Sequence, residues 1–419
     1  MSIRLFFTLL FMSHLCAVPP INLFRPSDRP LFVDPVSTCW SSQATLSYEG
    51  AFHIRAFRDT DLDGFDDQPC TDSEKKVCVL DLYQERQNVL AGFKGFDANT
   101  PPGNLTGLFN LNDEAGIQGL YKPLGTLSIP LNLMFSYRYY FDYGLRLEVH
   151  LPFIYAELKN VGWCSLANDK AFEGLLSKQL IEDVTTLGGL RTHGWRRTGI
   201  GDLVVQTAWM RNFAQSRALL QDVRVQARFG VVVPTGKKED EDKILAFPFG
   251  NDGAWALQFA GGLDLDFGYT VRGGIDIEFM YLFGNTRCRR VKTAVEQTDL
   301  FFLTKVPTYR ECGLGQQYNI YLESYFYDTS FKLNYQFLKR NDDRLDVGSD
   351  RIDSLIVNSS PSLFDWTAHS LIFMVRHDLF RNDESYWAFP SISAFVKYGF
   401  NGKRALLANT AGIQFNVDF

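Results

Sequence analysis

The feature that most constrains this chain is a period-two alternation of apolar and polar residues, held over segments of 10 to 15 residues from about residue 128 to the C-terminus. Leu145, Leu147, Val149 and Leu151 face one way, and Arg146, Glu148 and His150 the other. Val223, Val225, Ala227, Phe229 and Val231 alternate with Arg224, Gln226 and Arg228; Leu263, Leu265 and Phe267 with Asp264 and Asp266; Ile275, Ile277, Phe279 and Tyr281 with Asp276 and Glu278. Successive side chains on a strand point to opposite faces, so each segment reads as a strand with one apolar and one polar face. Composition agrees: 7 Trp, 18 Tyr and 36 Phe, with 33 Gly, suit sheet better than helix. No segment beyond the N-terminus offers ~20 consecutive apolar residues, which excludes a multi-span helical membrane protein. The aromatic content excludes a disordered chain, and a net charge of −6 gives no reason to expect nucleic acid as a partner.

Two arrangements satisfy such strands. A soluble sandwich buries the apolar face, whereas a transmembrane barrel turns it to lipid. Strand length and connection pattern favour the barrel. Tight turns at Asp142-Tyr-Gly144, Tyr269-Thr-Val271 and Asp328-Thr-Ser330 alternate with long connections over 162–197, 236–254, 287–314 and 340–361. Short periplasmic turns and long external loops are the habit of outer-membrane barrels. Lipid offers the backbone no hydrogen-bond partner, so such a sheet must close. The reading is an all-β protein, a transmembrane antiparallel barrel of about twelve strands near 44–58, 128–141, 145–158, 200–213, 222–235, 255–268, 273–286, 315–326, 330–339, 363–376, 387–399 and 405–419. The barrel occupies 44–419, with a long first external loop over 59–127, a periplasmic extension over 18–43 and both ends periplasmic. One short external connection, near Asn401-Gly402, departs from the pattern. Gly412 to Phe419 alternates and ends on an aromatic, resembling the signal read by the bacterial outer-membrane assembly machinery. The bacterial outer membrane is the expected location, its lipid and that machinery the expected partners.

Met1 to Ala17 has the layout of a secretory signal peptide: Arg4, an apolar stretch from Leu5 to about Met12, then small residues near Cys16-Ala17. An N-terminal anchor is the alternative. Removing Cys16 leaves Cys39, Cys70, Cys78, Cys164, Cys288 and Cys312. An even count in an exported chain permits disulfides, with 15 connectivities open. Closeness in sequence favours Cys70 with Cys78 and Cys288 with Cys312; Cys39 and Cys164 are left over.

Three phrases then fall in order: Thr198-Gly-Ile-Gly-Asp-Leu203, Phe229-Gly-Val-Val-Val-Pro-Thr-Gly236, and Phe249-Gly-Asn-Asp-Gly253 before Trp255. From about residue 198 to the C-terminus the chain resembles the outer-membrane barrel family of phenol-degradation meta-pathway transporters. The resemblance implies an outer-membrane barrel passing small, often hydrophobic solutes. Phenol itself is not carried over, since the family label describes genomic company. The N-terminal half, with its long first loop, departs from the family pattern.

Candidate chemistry is sparse. Asp59-Thr-Asp-Leu-Asp-Gly64 opens like a calcium loop, with Asp59, Asp61 and Asp63 at positions 1, 3 and 5 and Asp67 at position 9, but Cys70 stands where the bidentate Glu belongs. A weak structural calcium site and a solvated acidic loop tip are both open; no other cofactor is expected. Lys237 to Asp242 reads as a solvated charge run, and Asn168 to Asp183 as a short amphipathic helix that folds into the barrel mouth or packs on the rim. The polar strand faces carry Arg55, Arg138, Arg146, Arg224, Arg228 and Lys332 against Glu148, Asp202, Asp264, Asp266, Asp276, Glu278 and Glu323. These line a water-filled path or pair across the interior and plug it. Beyond the signal peptide, His369-Ser370 is the only adjacent His–Ser pair, and strand neighbours point to opposite faces, so no enzyme is expected. The sequence therefore reads as a porin-like passive conduit for small solutes; the alternative is a structural or surface barrel with a plugged lumen, its loops contacting partners or host.

Overall fold

The computed structural model describes residues 42–59, 76–94, 96, 99–100, 103–104, 119–166, 186–217, 219–268, 271–349, 351–379 and 388–419. Twelve antiparallel strands close into a barrel: β1 (Ser42–Phe57), β2 (Leu120–Tyr140), β3 (Leu145–Ser165), β4 (Leu203–Ala214), β5 (Asp222–Val233), β6 (Ala256–Asp266), β7 (Val271–Leu282), β8 (Gly315–Phe326), β9 (Thr329–Arg340), β10 (Trp366–Asp378), β11 (Phe389–Lys403) and β12 (Thr410–Asp418). Consecutive strands pair throughout. β1 completes the ring, with Leu46 opposite Phe135 of β2 on one side and Phe415 of β12 on the other. Ser42 and Phe419 exchange backbone hydrogen bonds of 3.0 and 2.9 Å, so the last strand closes the barrel beside the first.

Alternation sets the faces. Phe135, Phe229, Phe259, Phe279, Leu333, Phe373 and Ile413 are exposed on the outer wall, while Arg138, Glu148, Arg228 and Glu278 are buried inside. Exposed aromatics gather toward both rims, with Tyr139, Tyr143, Phe213 and Tyr327 near the short turns and Trp255, Phe283, Tyr398 and Phe400 toward the other end. Amphipathic rings at two heights match the two interfaces of a bilayer. The short turns use left-handed residues: Tyr143 has φ 65°, Gly144 φ 77° and Tyr327 φ 53°. A Cβ on Gly144 would lie 2.0 Å from the Met210 carbonyl oxygen, so glycine is required there.

Bulges shift several expectations. β2 begins at Leu120 rather than near 128, and β3 runs to Ser165 rather than 158. Register shifts between Leu124 and Thr126 and between Ser128 and Leu131 break the alternation that marks a strand in sequence. In β1, His53 has φ 53° and the register slips between Ala51 and Ile54. The slip turns Ile54 and Ala56 inward and leaves Arg55 exposed, so Arg55 does not join the inner charges. The expected turn at Asn401-Gly402 lies inside β11; the chain instead reverses after Arg404, and Ala405–Leu407 pairs with the end of β1.

The connections at the end opposite the short turns fold into a cap. Leu80, Leu90 and Phe93 of the first loop, Ile244 to Phe247 and Phe249 of the 234–255 connection, and Leu300, Phe301 and Leu303 share one core with Ile54, Leu127, Ile154 and Leu158 of the barrel wall. The inner face is thus polar toward the short turns and apolar under the cap. A separate sheet of Asn285–Arg290, Lys305–Glu311 and Arg344–Val347, followed by the helix α1 (Ser354–Val357), lies in these connections. Met1 to Ala17, Cys39, Cys70 and the expected helix over 168–183 lie outside the described residues.

Candidate functional site

The inner wall carries its charges in linked tiers. On β2 and β3, Glu148 is fully buried and accepts from Arg138 Nε at 3.0 Å and Arg146 Nε at 2.6 Å, with His150 Nε2 at 3.3 Å. Arg138 also donates to Gln43 Oε1 at 2.6 Å, tying β1 into the tier. On β5 and β7, Arg228 grips Asp276 with two parallel hydrogen bonds of 2.7 and 2.9 Å and stands 3.8 Å from Glu278. A bidentate guanidinium–carboxylate pair is among the strongest charge-assisted contacts a protein makes. Closer to the short turns, Arg224 pairs with Asp264 at 3.6 Å, Arg272 with Asp266 at 3.7 Å and Lys332 with Glu323 at 3.3 Å. Tyr321 donates to Asp264, and the Lys332 ammonium sits 3.9 Å from the Tyr321 ring centroid.

Thus Arg138, Arg146, Glu148, Arg224, Arg228, Asp264, Asp276, Glu278 and Glu323 are buried on the inner face, and Asp266 is half-buried there. They meet as pairs of opposite sign. At the level of Glu148, Gln258 and Glu278 the side chains are 0–1% exposed, packed against their neighbours on the inner wall.

Asp202 has a different place. It lies in a break between the strand Trp195–Ile200, which continues along β3, and β4. Its carboxylate accepts from Gly236 N at 2.9 Å and Asn251 N at 2.5 Å, while Gly201 N donates to Pro152 O at 2.8 Å. The three sequence phrases that carry the family resemblance meet in this knot. Arg197 holds the same connection by donating to the carbonyls of Lys238, Ala246 and Phe247, and Trp195 Nε1 donates to Ile244 O at 2.8 Å. In consequence Lys237 and Lys238 are exposed, but Glu239 to Asp242 are drawn against the cap. The solvated run is therefore only partly solvated.

The cap has a charge centre that strand alternation did not reveal. Asp252, 1% exposed, accepts from Arg310 Nη1 at 2.5 Å, Arg289 Nη2 at 3.1 Å and Arg287, with Glu239 N at 2.9 Å. Burial opposes its charge, but Arg310, Arg287 and Arg289 hold its carboxyl below the usual carboxylate range. Glu239 goes the other way: burial and the charges of Glu241 and Asp252 push it up to about 8. The signal in sequence was the basic run Arg287-Cys-Arg-Arg290, which needed an acid partner that spacing does not name.

The cysteine expectations change. Cys288 is an exposed free thiol opposite Pro307 in its hairpin. Cys312 lies five residues farther along that strand, roughly 17 Å away at strand rise, beyond the reach of a disulfide. Its thiol is buried and donates to Phe283 O. Cys78 is a half-buried free thiol donating to Gly125 O, and Cys164 is exposed at the end of β3. Of the calcium motif, Asp59 is described and Asp61, Asp63 and Asp67 are not. Asp59 pairs with Arg404 and, at 3.4 Å, with Lys403 Nζ, so its carboxylate is engaged by cations where a metal ligand would be needed.

No family model matches the sequence, and no curated protein does. Among solved structures the chain is similar to an outer-membrane channel from Pseudomonas putida F1, with a TM-score of 0.50, 9% identity, and coverage of 92% of this chain and 100% of that one. A monoaromatic hydrocarbon channel (TM-score 0.35, 10% identity, 90% and 91% coverage) and the toluene transporter of Ralstonia pickettii (0.34, 10%, 97% and 95%) match too loosely to carry an argument. By fold the chain is a closed ring of twelve antiparallel strands, the architecture of that outer-membrane channel.

Proposed function

We propose that this protein is a passive outer-membrane channel for small solutes, hydrophobic ones included. The observation that supports it is the division of the inner wall: ion-paired groups around Glu148 and Arg228 toward the short turns, and an apolar stretch around Leu127, Ile154 and Leu158 beneath the cap. The cap loops cover that apolar stretch, so a solute on this side passes the cap before it reaches the polar constriction. Membership of the phenol-degradation meta-pathway transporters is the finer form of this reading, and it rests on the phrases that converge on Asp202. The runner-up is a structural barrel, favoured by the near-complete burial of Glu148, Gln258 and Glu278. Calcium ordering of the first loop is retained as a proposal in reduced form: with Asp59 committed to Arg404, Asp61, Asp63 and Asp67 are left as carboxylate ligands and affinity is weak.

Single-channel recording of refolded protein in a planar bilayer tests the proposal. Discrete ohmic steps are expected. Silence from protein demonstrated to be folded and inserted would overturn it in favour of the structural barrel.

A further inference from the structure

Within the cap, apart from the barrel lumen, lies a cavity of about 120 Å³. Its walls come from five stretches of chain: Tyr83, Leu190, the 239–245 segment, the 289–302 segment and the 345–363 segment. Much of the lining is apolar, including Leu245, Leu300, Phe302 and Leu363. Several polar groups facing it have no protein partner among the described residues. The Tyr83 hydroxyl is buried and unbonded on a residue 8% exposed, and Arg289 Nε and Asp299 Oδ2 are likewise unbonded. The Lys292 side chain, on a residue 6% exposed, also lines the cavity, within electrostatic reach of Asp299 and Glu296. Asp299 is held in place from its other oxygen, Oδ1, by Ser360 Oγ and by Ser362 N at 3.1 Å, which leaves Oδ2 available.

An unmatched buried donor or acceptor costs about 1–3 kcal/mol, more when charged. The Tyr83 hydroxyl and Asp299 Oδ2 are therefore costly unless something fills the cavity and bonds to them. Pure hydrocarbon would fit the walls and leave every polar group unmet. A simple anion would suit Lys292 and Tyr83 but face Asp299; a simple cation would have the reverse difficulty. A molecule with a carboxylate at one end and an ammonium at the other answers both signs. Size limits it: a cavity of about 150 Å³ holds benzene, so this one takes a body of two or three carbons.

We propose that the cap cavity is a binding site for a small zwitterion of the α-amino-acid class, its carboxylate met by Lys292 and Tyr83 and its ammonium by Asp299. Glu239, whose carboxyl burial and neighbouring carboxylates push up to about 8, lines the same cavity, which limits the negative charge the carboxylate meets. The site does not depend on the lumen being open, so it stands or falls separately from the channel reading.

Isothermal titration calorimetry of the full-length refolded protein in detergent tests it, with glycine, L-alanine, acetate, methylammonium and benzene as probes. Glycine or L-alanine is expected to bind at least tenfold more tightly than acetate or methylammonium, which each offer one end. Lys292→Met and Asp299→Asn are each expected to weaken glycine at least tenfold. Tyr83→Phe, which keeps the ring, is expected to weaken it severalfold while the heat-dependent gel shift of the folded barrel stays unchanged. No heat from any probe would mean the cavity holds water alone and would overturn the assignment. Acetate binding as well as glycine, with Asp299→Asn neutral, would make it an anion site; benzene binding best would make it an apolar one. Both also overturn the proposal.

Discussion

Asp252 concentrates the physics of the cap in one side chain. Three guanidiniums converge on a carboxylate that water scarcely reaches, and breaking such a buried set by removing one member costs about 3–5 kcal/mol because uncompensated charge remains. Asp252→Ala is therefore expected to loosen the cap by that order while leaving the barrel closed. Limited proteolysis should then cut within 236–254 and 285–311 at rates unlike the parent, with the gel shift of the folded barrel retained; equal rates would refute the role. Glu239 makes a prediction of opposite character. Its carboxyl titrates near 8 in the folded cap and near 4.5 unfolded, and Asp81, raised by burial to about 7, behaves likewise. A raised carboxyl binds its proton more tightly when folded, so its contribution to stability is fully present below about 4.5 and fades as pH rises through 8. Around Glu239 stand Glu241, Asp252, Arg287 and Arg310, and around Asp81 stand Lys122, Glu85 and Arg58. Amide exchange in 236–254 is expected to show lower protection at pH 9 than at pH 5 once intrinsic rates are removed, and Glu239→Gln should flatten that difference.

At the scale of elements, the informative places are where strands stop obeying alternation. Gly201 breaks the line between Trp195–Ile200 and β4, and the 236–254 connection enters there. A Cβ on Gly201 would lie 2.5 Å from Pro152 Cγ and 2.6 Å from the Phe249 carbonyl oxygen, the latter on backbone that cannot swing aside. Gly261, on the outer wall of β6, would bring its Cβ no closer than 3.8 Å to anything. Gly201→Ala is thus expected to destabilise by about 1–3 kcal/mol through overpacking, and Gly261→Ala to be near neutral, as read from urea midpoints of the refolded protein. The bulge at His53 teaches the same lesson from β1. Arg55 has the residue type and spacing of an inner-face charge, but one inserted residue reverses the face for everything beyond it.

For the whole molecule, the question is how a twelve-stranded ring fills its own interior. Eight strands leave room for side chains alone and sixteen enclose an aqueous channel; this ring lies between, and its long charged inner side chains are held as pairs along the wall. Removing both partners of the Arg228–Asp276 pair by Arg228→Ala with Asp276→Ala is expected to raise single-channel conductance severalfold, since two side chains leave the constriction and no lone charge replaces them. Arg228→Ala alone leaves Asp276 and Glu278 unbalanced and should shift reversal potentials toward cation preference; Asp276→Ala alone should shift them toward anions. Reversal potentials that do not move in either single variant would place the conducting path elsewhere.

Much of this architecture was legible in the order of residues. A period of two, tight turns at Asp142–Gly144 and Asp328–Ser330, and a last strand ending on Phe419 define ring, strand number and inner face, because these follow from local geometry: alternation from the pleat, closure from the demand of backbone groups in lipid. The same local logic reached the inward charges from Arg138 to Glu323. It did not reach their pairing, since Arg228 with Asp276 and Arg224 with Asp264 are matches between strands 48 and 40 residues apart in the numbering, decided by register. Nor could it foresee that the 236–254 connection folds inward, that Asp252 gathers Arg287, Arg289 and Arg310, or that Cys288 and Cys312 stand far apart. Loop residues carry no period to read. Their positions are set by which apolar side chains find a common core over the barrel mouth, and that depends on contacts between segments far apart in the chain.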